Sequence, residues 1–161
     1  MNKTPALLSV VLLFAAACSS PPYTPKGDLP FEPIPEFKTK HTIELENAQP
    51  SVTPVEIGDG WRANYNAWTG VAIEIATREL DKRGARFGPG SERRLKLSVT
   101  RAHYEAGVAE IELRVETGDG HRAIYTGKNT PADEDRPIDG AVMRAVVQLL
   151  KDPQVVNHLV N

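Results

Sequence analysis

Hydrophobic positions in this chain repeat with two periods, and the changes between them divide it into elements. "HTIELEN" sets Ile43 and Leu45 between polar neighbours, the period of two of a half-buried strand. From Trp61 the spacing becomes helical. Trp61, Tyr65, Trp68, Ala72, Ile75 and Ala76 recur at helical intervals, Leu80 extends the stripe, and Gly84 is placed to cap its end. This predicts the main helix over "WRANYNAWTGVAIEIATRELDKRG". Gly70 inside it costs about 1 kcal/mol relative to alanine, a cost that close packing would explain.

At Arg93 the period returns to two. Leu95, Leu97 and Val99 point one way against Lys96, Ser98 and Thr100, and Ala109, Ile111, Leu113 and Val115 do the same against Glu110, Glu112, Arg114 and Glu116. A three-residue connection, Glu105 to Gly107, sets Val99 opposite Leu113, Leu97 opposite Val115 and Lys96 opposite Glu116, with Gly107 supplying the left-handed residue. A two-residue connection would oppose Val99 to Arg114 and flip one strand's face. The turn "GDG", Gly118 to Gly120, leads into a third strand, "HRAIYTG", whose inward face is either Ala123 with Tyr125 or Ile124. Pro137 opens a second helix with Ile138, Val142, Ala145, Val146 and Leu149 along its buried stripe, and Pro153 restarts the chain as a short terminal helix. The order strand, helix, three strands, helix predicts an α+β fold: an antiparallel-rich sheet of about four strands, with two main helices packed on one face.

Ahead of these elements the pattern differs. Lys3 precedes a run from Ala6 to Ala17 that is apolar apart from Ser9, the length of a secretory signal and too brief to cross a bilayer as a mature helix. Ala15, Ala16 and Ala17 then lead into Cys18. This resembles the lipobox of bacterial lipoproteins, with Ala15 where leucine is usual. The resemblance implies that the Cys18 thiol carries diacylglycerol, that residues 1–17 are a signal peptide removed on maturation, and that Cys18 tethers the chain to a membrane. Each buried methylene contributes about 0.8 kcal/mol, so several acyl chains on one residue hold durably. Ser19, where an aspartate would retain an enteric lipoprotein at the inner membrane, implies the periplasmic face of the outer membrane.

Eight of the 13 prolines lie between Pro21 and Pro54, so residues 18–38 form a proline-rich tether ahead of an α+β domain at 39–161. Fully extended, twenty such residues reach roughly 60 Å at about 3.1 Å each. The alternative is that Phe31, Ile34 and Phe37 fold back as an apolar strap, since bare phenylalanines are unfavourable in a solvated linker.

The remaining length suits one domain. With its one cysteine consumed by lipid, the mature chain has no thiol for disulfides, metals or redox work. A net charge of -2 with interspersed signs excludes a clustered basic field, so nucleic acid is not an expected partner.

From Trp68 to Asn161 the chain resembles the YajG-type family of Gram-negative envelope lipoproteins, through the helix ending "KRGARFGPG", the strand "LKLSVTRAHY", the hairpin after it and a last helix continuing into "DPQVVNHLVN". The family lends no catalytic residues, and its one transferable position is the lipidated cysteine, Cys18 here.

Sharper chemical motifs compete poorly with structural readings. "GDGWRA", Gly58 to Ala63, fits an alanine-ended dinucleotide fingerprint, but Asp81 lies on the same helix instead of the next strand, and Trp61 would crowd the backbone approach. A glycine turn into the helix is the expectation. His41, His103, His121 and His158 are scattered singly, without the paired spacing of a zinc site, although His103 and His121 could approach across the sheet. "ADED", Ala132 to Asp135, lacks the alternation and glycine of a calcium loop. No serine sits in a nucleophile elbow. Trp61, Tyr65 and Trp68 are expected to pack a core, the alternative being a partner surface. The expectation is therefore a non-enzyme with no cofactor and no metal: an envelope binding or assembly module acting on an unknown protein, lipid or peptidoglycan partner. The alternative is an auxiliary lipoprotein subunit of an envelope lipid-transport system.

Overall fold

The computed structural model describes residues 21–30, 32–130 and 136–161. Cys18, the apolar run before it, Phe31 and the acidic "ADED" loop lie outside the described residues.

Strand β1 (Thr42–Asn47) is followed by a short hairpin of β2 (Val55–Gly58) and β3 (Trp61–Ala63), helix α1 (Tyr65–Asp81) and a two-residue strand β4 (Arg86–Phe87). Then come β5 (Arg94–Glu105), β6 (Val108–Thr117), β7 (Arg122–Asn129), α2 (Pro137–Lys151) and α3 (Pro153–Val160). The fold is α+β, but the main sheet is mixed and has five strands, in the order β4-β1-β5-β6-β7, where an antiparallel-rich sheet of about four was expected. β1 runs parallel to both β4 and β5. Its partner in the sheet is reached through α1, a crossover of the length that parallel pairing requires. β2 and β3 form a separate two-stranded sheet.

One face of the sheet is buried. Leu95, Leu97 and Val99 of β5, Ile111, Leu113 and Val115 of β6, and Tyr125 of β7 join the stripes of α1 and α2 in a single core. Both main helices pack on that face, with Arg114, Ile124 and Lys128 exposed on the other. The third strand therefore turns Tyr125 inward and leaves Ile124 56% exposed.

Val99 opposes Leu113, Leu97 opposes Val115 and Lys96 opposes Glu116, the register that hydrophobic facing requires. It is reached differently from the expected three-residue connection. Glu105 pairs with Val108, so the turn is two residues, Ala106 and Gly107, with φ of 49° and 81°. A register shift between Val99 and Arg101 then restores the facing that so short a turn would invert.

α1 starts later than its apolar spacing suggests. Asn64 caps it by accepting from Ala67 N at 3.1 Å, which leaves Trp61 outside the helix, in β3. Its other end closes as expected, with Gly84 at φ 86° and Ala85 N donating to Leu80 O at 3.1 Å. A Cβ at Gly70 would meet nothing within 4 Å, so close packing does not explain that glycine.

The proline-rich segment is laid against the domain where a free stalk was expected. Tyr23 N donates to Arg62 O at 2.9 Å, Tyr23 O accepts from Trp68 Nε1 at 2.7 Å, and Tyr23 Oη donates to the buried carboxylate of Asp139 at 2.7 Å. Arg136 pairs with both Asp28 and Asp139, and Arg144 pairs with Glu32. Ile34 and Phe37 pack on the core, with Arg83 stacked 5.2 Å from the Phe37 ring. Thr39 Oγ1, donating to Leu159 O at 2.7 Å, ties the end of the strap to α3. Proline removes amide donors and fixes φ, so the strap gains its hold through side chains and the few amides left to it.

α2 lies directly on β7. A Cβ built on Gly127 would stand 1.8 Å from Ala141 O and 2.6 Å from Ala145 N, both helix backbone. Gly127→Ala should therefore cost about 2–3 kcal/mol, by the mechanism of overpacking. Thr126→Ala, on the exposed face, should stay within about 0.5 kcal/mol. Urea midpoints of the two variants against the parent measure the difference.

Candidate functional site

Two surface features stand out, at opposite ends of the β5–β6 hairpin. The first is an open polar cleft of about 1090 Å³, between the segment entering β5, the β6–β7 turn and α3. Arg93, Arg94, Asp119, His121, Asn157 and His158 are among its lining residues. Gly118 allows the walls to meet: its N–H donates to Arg94 O at 2.8 Å, and a Cβ there would stand 2.4 Å from Glu92 O. The turn is held by Thr117, whose Oγ1 donates to Asp119 Oδ1 and accepts from His121 N at 3.0 Å.

Two histidine–aspartate pairs cross between the turn and α3 at this cleft. Asp152 on the helix side lies 3.8 Å from His121 Nε2, and His158 Nδ1 lies 3.3 Å from Asp119 Oδ2 on the turn. Asp152 also caps α3 by accepting from Gln154 N at 2.7 Å, and accepts from Tyr125 Oη at 2.6 Å. Burial pushes the Asp152 carboxyl up, but the bonds from Tyr125 and Gln154 outweigh it and leave the group below the usual carboxylate range. The hydroxyl of Thr117 does the same for Asp119 against a smaller opposing effect of burial, helped by the amide of His121. Burial, then the bond to Asp152, pushes Tyr125 above its ordinary value, so it stays a donor. The Nε2 atoms of His121 and His158 are both buried and without a hydrogen-bond partner. The arrangement clamps α3 to the sheet and leaves Arg93, Arg94, Gln154 and Asn157 as polar groups for binding.

Single histidines in the sequence gave no sign of this cleft, and His103 does not take up the approach to His121 that the sheet could have allowed. His103 lies at the far end of β5, paired with Glu105 at 3.3 Å. Asp152–Pro153 did carry a signal, because a helix-capping aspartate followed by proline marks a helix start. Among the described residues no group of three or more His, Cys, Asp or Glu is placed to hold a metal.

The second feature is aromatic. Trp61, Tyr65 and Trp68, expected to pack a core with a partner surface as the alternative, divide: Trp68 and Tyr65 join the core, and the three do not form one surface. Trp68 is fully buried, and Tyr65 is half-buried with its Oη accepting from Ala102 N at 3.0 Å. Trp61 alone is exposed, at 38%, and its neighbours are Tyr23 and Tyr104, with ring centroids at 5.2 and 5.4 Å. "GDG" at 58–60, expected as a glycine turn into a helix, joins β2 to β3. Gly58 packs on Tyr104 O so closely that a Cβ would stand 2.1 Å away, and Asp59 Oδ2 accepts from Ala106 N at 2.8 Å. The dinucleotide fingerprint thus has neither the strand-to-helix setting nor the open backbone that a phosphate needs.

A carboxyl held low in the folded state adds stability that is present in full above its ordinary 3.8 and fades as pH falls through the lower folded-state value. Asp152→Ala removes both the cap and the acceptor for Tyr125, and should cost about 1–2 kcal/mol at pH 7. The gap between variant and parent should narrow at pH 3 and below, as read from urea midpoints at each pH. No family model, no curated protein and no solved structure matches the chain.

Proposed function

We propose that the chain is a lipoprotein of the outer membrane, anchored through Cys18 on the periplasmic face, and that its domain serves as a non-catalytic envelope binding or assembly module. The observation that carries this reading is the apolar run ending Ala15-Ala16-Ala17-Cys18, followed within a few residues by chain already packed on the domain at Tyr23. The resemblance to YajG-type lipoproteins agrees with it.

Binding is favoured over catalysis by the engagement of the cleft's reactive groups. Asp152 caps a helix and accepts from Tyr125 Oη, and Ser91 Oγ donates to Thr42 O and accepts from Arg93 N at 3.0 Å, so neither is placed as a base or as an activated nucleophile. The polar lining suits a polar partner, an envelope protein or a peptidoglycan fragment, better than the lipid cargo of a transport subunit.

Radioactive fatty acid should label the parent protein in a Gram-negative host and sediment with the outer membrane. Cys18→Ser should abolish the label and leave the precursor with Met1. An unlabelled parent protein that retains Met1 would overturn the reading.

A further inference from the structure

The aromatic end of the domain is also the end from which the chain departs toward Cys18. Tyr23 bridges Ala63 of β3 in parallel, and its ring meets Trp61 edge-on, while the Tyr104 ring lies tilted against the same indole. Val55, in the same hairpin, and Val52, just before it, are 38% and 64% exposed. Asn64 Nδ2 donates to Val52 O at 3.0 Å, which keeps Val52 beside the start of α1. Exposed valines and an exposed tryptophan in and beside one hairpin are costly in water. They match the water–hydrocarbon boundary, where aromatic rings with polar tips settle.

Chain length adds a second constraint. Five residue steps separate Cys18 from Tyr23, which at full extension span at most about 18 Å. An acylated Cys18 sits at the leaflet surface, so Tyr23 cannot stand off from it by more than that span. A protein partner on this face would have to fit between the domain and its own anchor.

Resting on the anchor at Cys18, we propose that the aromatic end lies on the leaflet, with Trp61 at the boundary between headgroups and acyl chains and Tyr23 and Tyr104 beside it. The polar cleft then faces away from the membrane. It opens at the Arg94 end of β5, and Tyr104 closes the aromatic end ten residues later, about 33 Å along the strand. The strap thus does the reverse of a stalk: it holds the domain down and presents the cleft toward the periplasm.

Trp61 and Trp68 are the two tryptophans of the chain, and Trp68 is sealed in the core as an internal control. The test uses the full chain produced in a Gram-negative host. The mass of its N-terminal peptide reads acylation, and the protein is reconstituted into phosphatidylethanolamine–phosphatidylglycerol vesicles with or without brominated acyl chains. Emission should fall by up to roughly half in the brominated vesicles, since only the interfacial indole is within reach of the bromines. The fall should vanish in Trp61→Phe, and a probe at the cleft end, Asn161→Trp in the Trp61→Phe background, should stay unquenched. Acylated, vesicle-bound protein whose Trp61 emission ignores bromine would overturn the orientation while leaving the anchor intact. So would quenching of the Asn161→Trp probe. A protein that proves unacylated at Cys18 removes the anchor and the orientation together.

Discussion

The hydroxyl of Tyr23, bonded to the carboxylate of Asp139, is the contact on which the arrangement of the N-terminal third depends. Asp139 is buried at the start of α2, where a carboxylate needs both charge and hydrogen bonds to compensate its lost hydration. Arg136 supplies the charge at 3.1 Å, and Tyr23 supplies the donor. The same residue's carbonyl accepts from the indole of Trp68, itself fully buried in α1. Loss of the strap would therefore leave a donor in one helix and an acceptor in the other facing a poorly hydrated core, each at a cost of about 1–3 kcal/mol. That coupling explains how a segment rich in prolines, with few amides to pair, is held over the helical layer.

What the sequence made legible follows from period and facing. Alternation in β5 and β6 revealed both strands and their register, because a slip by one residue would have put Leu95, Leu97 and Val99 in water. Facing alone could not show how the register was reached, and the chain combined a two-residue turn with an irregularity at Thr100 instead of a longer loop. The parallel pairing of β1 with β5 and the two residues of β4 carry no periodic signal, since pairing partners distant in sequence leave no local trace. Trp61 misled for an instructive reason. Its spacing to Tyr65 and Trp68 matches a helix, but Asn64 competes as a cap and starts the helix about one turn later. The aromatic cluster and the cleft were hidden for the same cause, because Tyr23 and Tyr104 reach Trp61, and His121 and His158 reach their aspartates, only through tertiary structure.

The two ends of the domain solve different problems with the same sheet. At one end the β2–β3 hairpin packs on the β5–β6 turn, and Asp59 accepts from Ala106 N, which helps hold an alanine at a φ that L-residues seldom adopt. That platform leaves Trp61 38% exposed, in ring contact with Tyr23 and Tyr104. At the other end a short helix of eight residues, too short to be stable on its own, buries Val155 and Leu159 in the core and is joined to the β6–β7 turn by crossed histidine–aspartate pairs. That helix, tied also by Thr39 of the strap, makes one wall of the cleft.

That linkage ties the cleft to the aromatic end by way of the strap. Thr39 bonds α3, Tyr23 bonds α2 and β3, and between them Gly27 O accepts from Arg78 of α1 and Glu32 pairs with Arg144 of α2, so the strap touches both the wall of the cleft and the hairpin that bears Trp61. A force on the N-terminus is delivered to Tyr23 before it can reach α3, because the bonds at Tyr23 come first along the chain and must fail first. The cleft is thereby insulated from a pull on the chain ahead of Tyr23, and its geometry is set within the domain.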